Sequence, residues 1–423
     1  MLHTFLINNM NNLAEQILFE DKGGKNLHLE HIEDEILNYG ITGGRASINF
    51  VQSLRDMFAG ASRSSINMTV KWDGAPAIFS GVDPDDGRFF VGKKSVFNVE
   101  PQLYKTNADV DKYTSGDLNK KLKVALSEFS KLGIKGVLQG DLMFTDDVST
   151  DTIDGKKYYT FQPNTIVYAV DVDSDFGSQI KKAKIGVVWH TTYTGTELQD
   201  MKASFGVNIS GLKNISSVWQ DDATFKDVSG SATMTEKETE SITAELSIAG
   251  KTFQKINSSM LTRFLNLQDS FTGAMVSAGI KTYNNTKVRE GKPINNPRAH
   301  AQGYVKHVGN KYADKVKESK SAKGKEKYKN LQKEYTREVN KHVKNLTQII
   351  TFQNAIVKAK MLIVKKLNRV KSIGTFIKTS NGFKVSNPEG YVAIDRVSGN
   401  AVKLVDRMEF SYNNFTAIKA WDK

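Results

Sequence analysis

Four short stretches combine residue types that could do chemistry on a phosphate. They are Lys71-Trp72-Asp73-Gly74, Gly140-Asp141-Leu142, Glu389-Gly390-Tyr391-Val392 and Val402-Lys403-Leu404-Val405. Each falls in, or at the end of, a run that reads as a strand. Three lie beside a glycine, as expected where backbone approaches a ligand closely. A lysine that attacks phosphorus must be neutral, so its pKa must fall from about 10.4. A second cation and partial desolvation would lower it. The pentavalent phosphorus it creates is strongly negative, which calls for a second lysine and a metal ion. The metal in turn calls for hard carboxylate oxygens. One nucleophilic lysine, one phosphate-binding lysine and carboxylates at Asp73, Asp141 and Glu389 would meet those needs.

The elements that must position these residues follow from hydrophobic periodicity. Residues 1–62 read as a helical segment. HLEHIEDEILNYG stops at Gly40, a plausible C-cap, and Phe50, Val51, Leu54 and Phe58 share one helical face. Residues 63–228 carry β-rich runs such as MTVKWDG, AIFSGV, RFFVGKKSVF, GVLQGDLMF, TIVYAVDVD and AKIGVVWHTTY, with one helix, KLKVALSEFSKLG, among them. Residues 229–373 return to helical patterns, including a polar stretch that is either one long exposed helix or helices with a mobile joint near Gly324. Residues 374–423 resume the strand pattern. The expected fold class is α+β, with a substantially antiparallel sheet interrupted by a helical insertion and completed by the last strands.

At this point the sequence resembles the covalent lysine nucleotidyltransferases: ATP-dependent DNA ligases, RNA ligases and mRNA capping enzymes. Their K-x-D-G motif matches Lys71-Trp72-Asp73-Gly74, and their E-G-h-V motif matches Glu389-Gly390-Tyr391-Val392. Gly140-Asp141 fits their acidic residue after Gly, with Asp where Glu is usual. Lys403 keeps the first lysine of their K-h-K, while Val405 replaces the second and Arg407 is a candidate to compensate. The resemblance implies a nucleotidyltransferase core, with Lys71 forming a nucleotidyl-lysine and Lys403 binding phosphate. Asp73 and Gly74 would lie beside the nucleotide, and Asp141 and Glu389 would serve the metal. Tyr168, or Phe161, would supply an aromatic face to the purine. ATP and Mg²⁺ (or Mn²⁺) are the implied cofactors. The family usually has Arg where this chain has Pro76, a charge that Lys93, Lys94 or Arg45 would have to supply. Few residues follow Lys403, so no C-terminal OB-fold is expected, which leans towards the RNA-ligase side. A second resemblance, carried by LEHIEDEILNYG, VKWDGAPAIFSG, GDLMF, FQPNTIVYAVDV and GVVWHTTYTG, is to an uncharacterised family of tailed-phage proteins. It implies a phage origin and the host cytoplasm.

Composition bounds these readings. The chain has 423 residues, 39% of them hydrophobic, so it can build a sizeable core. It has no cysteine, which excludes disulfides, Cys-ligated metals and Cys nucleophiles. No apolar run is long enough to span a membrane, and the start lacks a secretory pattern. The net charge is +13. Between Lys306 and Lys371 stand 19 Lys+Arg against 5 Asp+Glu, or 19 − 5 = +14, so the rest sums to 13 − 14 = −1. This localised charge points to a polyanion, most simply nucleic acid, or reads as a solvated helical face; the resemblance puts RNA ahead of DNA as the partner of the helices of 306–371.

Other signals are weaker. His28, Glu30, His31, Glu33 and Asp34 could be imagined as metal ligands, though a polar helix face looks the same. Gly87 to Lys94 only approximates a phosphate-binding loop, and reads as a strand that could carry Lys93 and Lys94 towards a nucleotide. Asp171 to Asp175 resembles the start of an EF-hand, but Phe176 and Lys182 break it. His190 reads as a strand histidine with a local hydrogen bond, and Trp72 as packing. The leading expectation is therefore an ATP-dependent, RNA-ligase-like enzyme joining 5′-phosphate to 3′-hydroxyl ends. Its rivals are an inactive nucleotidyltransferase-fold protein that binds nucleic acid, and a nucleotidyltransferase with a non-ligation acceptor.

Overall fold

The computed structural model describes residues 30–60, 66–224, 233–271, 273–368, 374–379, 382–385, 389–395 and 401–411. In chain order the first half contains α1 (Glu35–Phe58), β1 (Ile66–Lys71), β2 (Ala77–Val82), β3 (Phe89–Gly92), α2 (Asn107–Tyr113), α3 (Gly116–Phe129), β4 (Val137–Phe144), β5 (Ser149–Ile153), β6 (Lys156–Phe161), β7 (Val167–Asp171), α4 (Asp175–Ile180), β8 (Ile185–Thr194), β9 (Lys202–Phe205) and β10 (Val218–Asp222). The helical stretch is α5 (Glu236–Phe253), α6 (Ser258–Asp269), α7 (Ile280–Arg289), α8 (Pro297–Glu318), α9 (Ala322–Lys341) and α10 (Val343–Leu367). The closing strands are β11 (Gly374–Thr379), β12 (Gly382–Val385), β13 (Gly390–Asp395) and β14 (Ala401–Leu404).

The fold mixes helices with antiparallel and mixed sheets. Instead of the one sheet expected there are three among the described residues, ordered β1-β13-β14, β10-β8-β4-β2-β3 with β9 on β8, and β12-β11-β7-β6-β5. Among the described residues all strand pairings within these sheets are antiparallel except β10 with β8. The strands after the helical stretch pair with strands before it, β13 with β1 and β11 with β7. Two of the three sheets are thus completed by strands that follow the helices in the chain.

The six-stranded sheet is covered on both sides, which is why β8 reads as a nearly continuous apolar run. Ile185, Val187 and Trp189 face a core with Leu122, Ala125 and Phe129 of α3, while Val188 faces a second core with Phe144, Trp219 and Trp72. The helices form a body of their own. Phe50, Val51, Leu54 and Phe58 of α1, the four residues expected on one face, share a core with Phe264, Phe352, Ile356 and Ile363. Tyr391, Ala393, Val402 and Leu404 join the same core, so the three-stranded sheet rests on the helical body.

Two expected breaks resolve differently. Gly40 adopts φ +63 but bends α1 rather than ending it, with helical backbone resuming beyond the kink. The polar stretch is two helices, and the break lies at residues 319–321, where Ser321 Oγ accepts from Gly324 N at 3.0 Å and caps α9. Among the described residues no helix is long and apolar enough to cross a membrane.

Candidate active site

β1 ends at Lys71, directly opposite Gly390, and Val392 stands opposite Lys403 on β14. Facing residues share a side of a sheet, and so do residues two apart on one strand. Lys71 and Lys403 therefore project from the same face. Lys71 Nζ pairs with the carboxylate of Glu389, the residue just before β13. The Lys71 side chain is 25% exposed and that of Glu389 is 12%, so the pair can be reached from solvent.

The electrostatics follow from this contact. Burial would lower the pKa of Lys71, but the Glu389 and Asp141 carboxylates outweigh it and hold Lys71 above the ordinary lysine value. Burial pushes Glu389 up to about 7 against the pull of Lys71. Lys403 moves the other way: burial and then the Lys71 charge lower it. The expectation that the second cation would depress Lys71 is thus reversed in the resting site, because the Glu389 and Asp141 carboxylates outweigh burial.

The segment after Lys71 is where the three sheets meet. Ala75 N donates to Leu142 O at 3.0 Å, and Leu142 N donates to Pro76 O at 3.1 Å, which fastens the segment to β4 beside Asp141. A Cβ on Gly74 would collide with that of Asp141, so only glycine fits there. Asp73 reaches the third sheet. Its carboxylate accepts from Asn164 Nδ2 at 2.6 Å, Thr165 N at 2.7 Å and Ile166 N at 2.8 Å. Its own N donates to Tyr168 Oη at 2.7 Å. Asp73 is buried and fully engaged, with burial raising its pKa despite these bonds. It therefore sets the backbone that carries Lys71 rather than facing a ligand.

The chain matches a family of unknown function (DUF6267) over residues 26–419. It belongs to this family. No curated protein and no solved structure matches it.

In this family member the remaining expected residues divide. Asp141 lies within electrostatic reach of both Lys71 and Glu389. Lys93 follows β3, whose Gly92 pairs with Phe79, so it stands at the end of the sheet where Ala77 pairs with Asp141. Tyr168 does not offer a face to a base. It is 2% exposed, with its ring against Trp72 at 5.1 Å and Phe161 at 5.7 Å. Phe161 is equally buried. Arg407 does not compensate for Val405, because its guanidinium is spent on Asp34 and Glu33. Arg45 lies exposed on α1.

The imagined metal ligands Glu33 and Asp34 are ion-pair partners, and His28 lies outside the described residues. Among the described residues no group of three or more His, Asp or Glu side chains could hold a metal ion. Asp141 and Glu389 therefore offer two carboxylates rather than a closed cage, a set that suits a Mg²⁺ arriving with phosphates and water.

One neighbour was not foreseen. His190 Nε2 lies 3.7 Å from Asp141 Oδ1, and its Nδ1 is 2.8 Å from Thr191 Oγ1. Gln139 pairs with Thr191 but Gly140 pairs with Trp189, so His190 is the extra residue of a β-bulge that turns it towards Asp141. Only the strand pairing reveals this, since His190 and Asp141 are far apart in sequence.

Proposed function

We propose that this protein is a lysine nucleotidyltransferase that uses Lys71 to take a nucleotide from ATP and passes it to a polynucleotide 5′-phosphate, as an RNA-ligase-like enzyme. The observation that carries the reading is the meeting of Glu389, Asp141 and Lys403, from separated stretches, within electrostatic reach of Lys71. Two cations suit a triphosphate, and two carboxylates suit the divalent cation that accompanies it.

In the proposed first step Lys71 gives one proton to solvent and parts from Glu389, whose carboxylate is then free for the metal. The freed amine attacks the α-phosphorus. An N–P bond forms as the P–O bond to the β-phosphate breaks, and pyrophosphate leaves with the electron pair and the proton that the amine sheds. Lys403 faces the developing negative charge as an ammonium, a role that needs no motion because β14 is already paired beside β13. Asp141 and Glu389 would hold Mg²⁺, which supplies further neutralisation of phosphate charge when bound. In the second step a 5′-phosphate oxygen displaces Lys71 from the α-phosphorus, and a 3′-hydroxyl then displaces AMP.

The acceptor would lie along the helical body. Lys323, Lys325, Lys329 and Lys333 are exposed on α9, and Lys306 and Lys317 on α8. Not all of the charge is available: Lys360 and Lys366 are buried on Glu33 and Glu238.

A nucleic-acid-binding protein without catalysis is the second reading, favoured by Val405. It is 3% exposed and packs with Trp72, so it offers no second lysine. Incubation with α-phosphate-labelled ATP or GTP and Mg²⁺, followed by denaturation, separates the two. Retained label that disappears in Lys71→Ala supports the enzyme. Equal label in Lys71→Ala, or none with either nucleotide, rejects it.

A further inference from the structure

Away from the site a second set of charges is buried where four segments of chain converge. Lys360 Nζ donates to both oxygens of Glu33, at 3.0 and 2.9 Å, with side chains 1% and 4% exposed. Arg407 Nη1 donates to Asp34 Oδ2 at 3.0 Å and lies 3.6 Å from Glu33 Oε1. Arg407 Nη2 donates to Asn285 Oδ1 of α7 at 2.5 Å. Gln353 Nε2 of α10 donates to Glu33 O at 3.0 Å and Asp34 Oδ1 at 3.1 Å. Two acids and two bases thus balance inside the protein.

Stability alone is a poor reason for such a set, since well-packed apolar residues often serve as well. Its geometry suggests another. The acids sit on a single turn, Ile32–Asp34, that opens α1. The same turn holds the site lysine's own backbone: Lys403 N donates to Glu30 O at 3.3 Å, and His31 bridges to Lys403. Arg407 follows Lys403 by four residues. Asp406 Oδ1 accepts from Met408 N at 3.0 Å and Glu409 N at 3.2 Å, which ties down the turn that carries Arg407. Lys403 is therefore fastened on both sides to residues 30–34, at its own amide and through Arg407. Residues 30–34 are in turn fastened to α7 through Lys281, 3.0 Å from Glu30, and to α10 through Lys360.

We propose that Arg407 is a positioning residue for Lys403: by clamping the end of β14 onto the Glu33–Asp34 turn, it fixes the second site lysine against the helical body. Lys360 binds the same turn but no part of the Lys403 segment, so it serves as the internal control. The proposal rests on the nucleotidyltransferase reading only where a rate is measured; the exposure of Lys403 tests it independently.

The experiment compares full-length protein with Arg407→Met and Lys360→Met. Three quantities are read: thermal stability, acetic-anhydride labelling of Lys403 mapped by mass spectrometry against surface Lys323, and the single-turnover rate of self-nucleotidylation with ATP. Both variants should melt lower. Arg407→Met should change Lys403 labelling at least about threefold and slow the reaction about tenfold, with half-saturating ATP unchanged within about twofold. Lys360→Met should leave labelling and rate within about twofold of the native protein. Arg407→Lys, which keeps the charge but cannot span Asp34 and Asn285, should fall between, and it stands in if Arg407→Met does not fold. Equal changes in both variants, or native Lys403 labelling in the Arg407 variants, would overturn the proposal. If the native protein takes up no nucleotide, the functional reading fails while the labelling still decides the role of Arg407.

Discussion

Lys71 Nζ rests on the Glu389 carboxylate, although the two residues stand at opposite ends of the chain. The antiparallel pairing of β1 with β13 makes the contact, since Lys71 lies opposite Gly390. In the proposed reaction this ion pair would hold Lys71 as an ammonium until the amine is needed.

That resting state has a pH signature. Lys71 lies above the ordinary lysine pKa, so its neutral fraction grows about tenfold per pH unit throughout the neutral range. Self-nucleotidylation at saturating ATP should rise steadily from pH 7 to 9 without a plateau. Glu389→Gln removes the nearer carboxylate and leaves only Asp141 and Asp73 to oppose burial. The midpoint of Lys71 labelling by an amine reagent should then fall by about one pH unit or more. An unchanged midpoint would show that Glu389 does not control Lys71.

Asp73 is a stability residue first. Asp73→Ala would strand the buried amides of Thr165 and Ile166, each costing about 1–3 kcal/mol. Urea unfolding should show a loss of roughly 2–5 kcal/mol. Asp73→Asn, which keeps a carbonyl oxygen, should lose less. A loss below about 1 kcal/mol in the alanine variant would mean that the sheets are not tied together here.

These two residues also show what was legible in the sequence. The strands bearing Lys71, Asp141, Glu389 and Lys403 were readable from alternation and flanking glycines, and so was the return of the last strands to earlier ones. The roles of neighbouring side chains were not. Tyr168 looks like any strand tyrosine until β6 and β7 bury it between Trp72 and Phe161. His190 meets Asp141 only through a bulge, which leaves no local pattern. Glu33 and Asp34 look like a solvated helix start, because their partners Lys360 and Arg407 arrive from distant segments. One miss had a local signal: Asp154-Gly155, both at positive φ, turns the β5–β6 hairpin, as Asp-Gly pairs commonly do.

Glu35 predicts a second pH effect. It is 2% exposed, its Oε2 lacks a hydrogen-bond partner, and burial pushes its pKa up to about 8. The folded protein therefore holds a proton that the unfolded chain releases near pH 4.5. Its contribution to stability falls as pH rises from there to about 8, and the full cost is felt above. Glu35→Gln should raise stability at pH 8 by roughly 1–3 kcal/mol and flatten its decline between pH 5 and 8. Unfolding measured at both ends of that range checks the sign. Destabilisation at pH 8 would contradict it.

The exposed lysines of α9 should carry polynucleotide affinity if the acceptor lies along the helices. Replacing Lys323, Lys325, Lys329 and Lys333 by Glu should weaken binding of single-stranded RNA. The salt slope should drop by about 3, near 0.7 for each lost phosphate contact. Binding measured from low to moderate salt tests this. Equal slopes in native and variant protein would move the acceptor elsewhere.

The central claim is tested most directly by locating the nucleotide. Protein incubated with ATP and Mg²⁺ would be digested under conditions that spare a phosphoramidate and sequenced by mass spectrometry. The account predicts an adenylyl adduct on Lys71, absent from Lys71→Ala and from protein treated with excess pyrophosphate. An adduct on a different residue, or unmodified Lys71 in protein freed of prior nucleotide and offered both ATP and GTP, would contradict it.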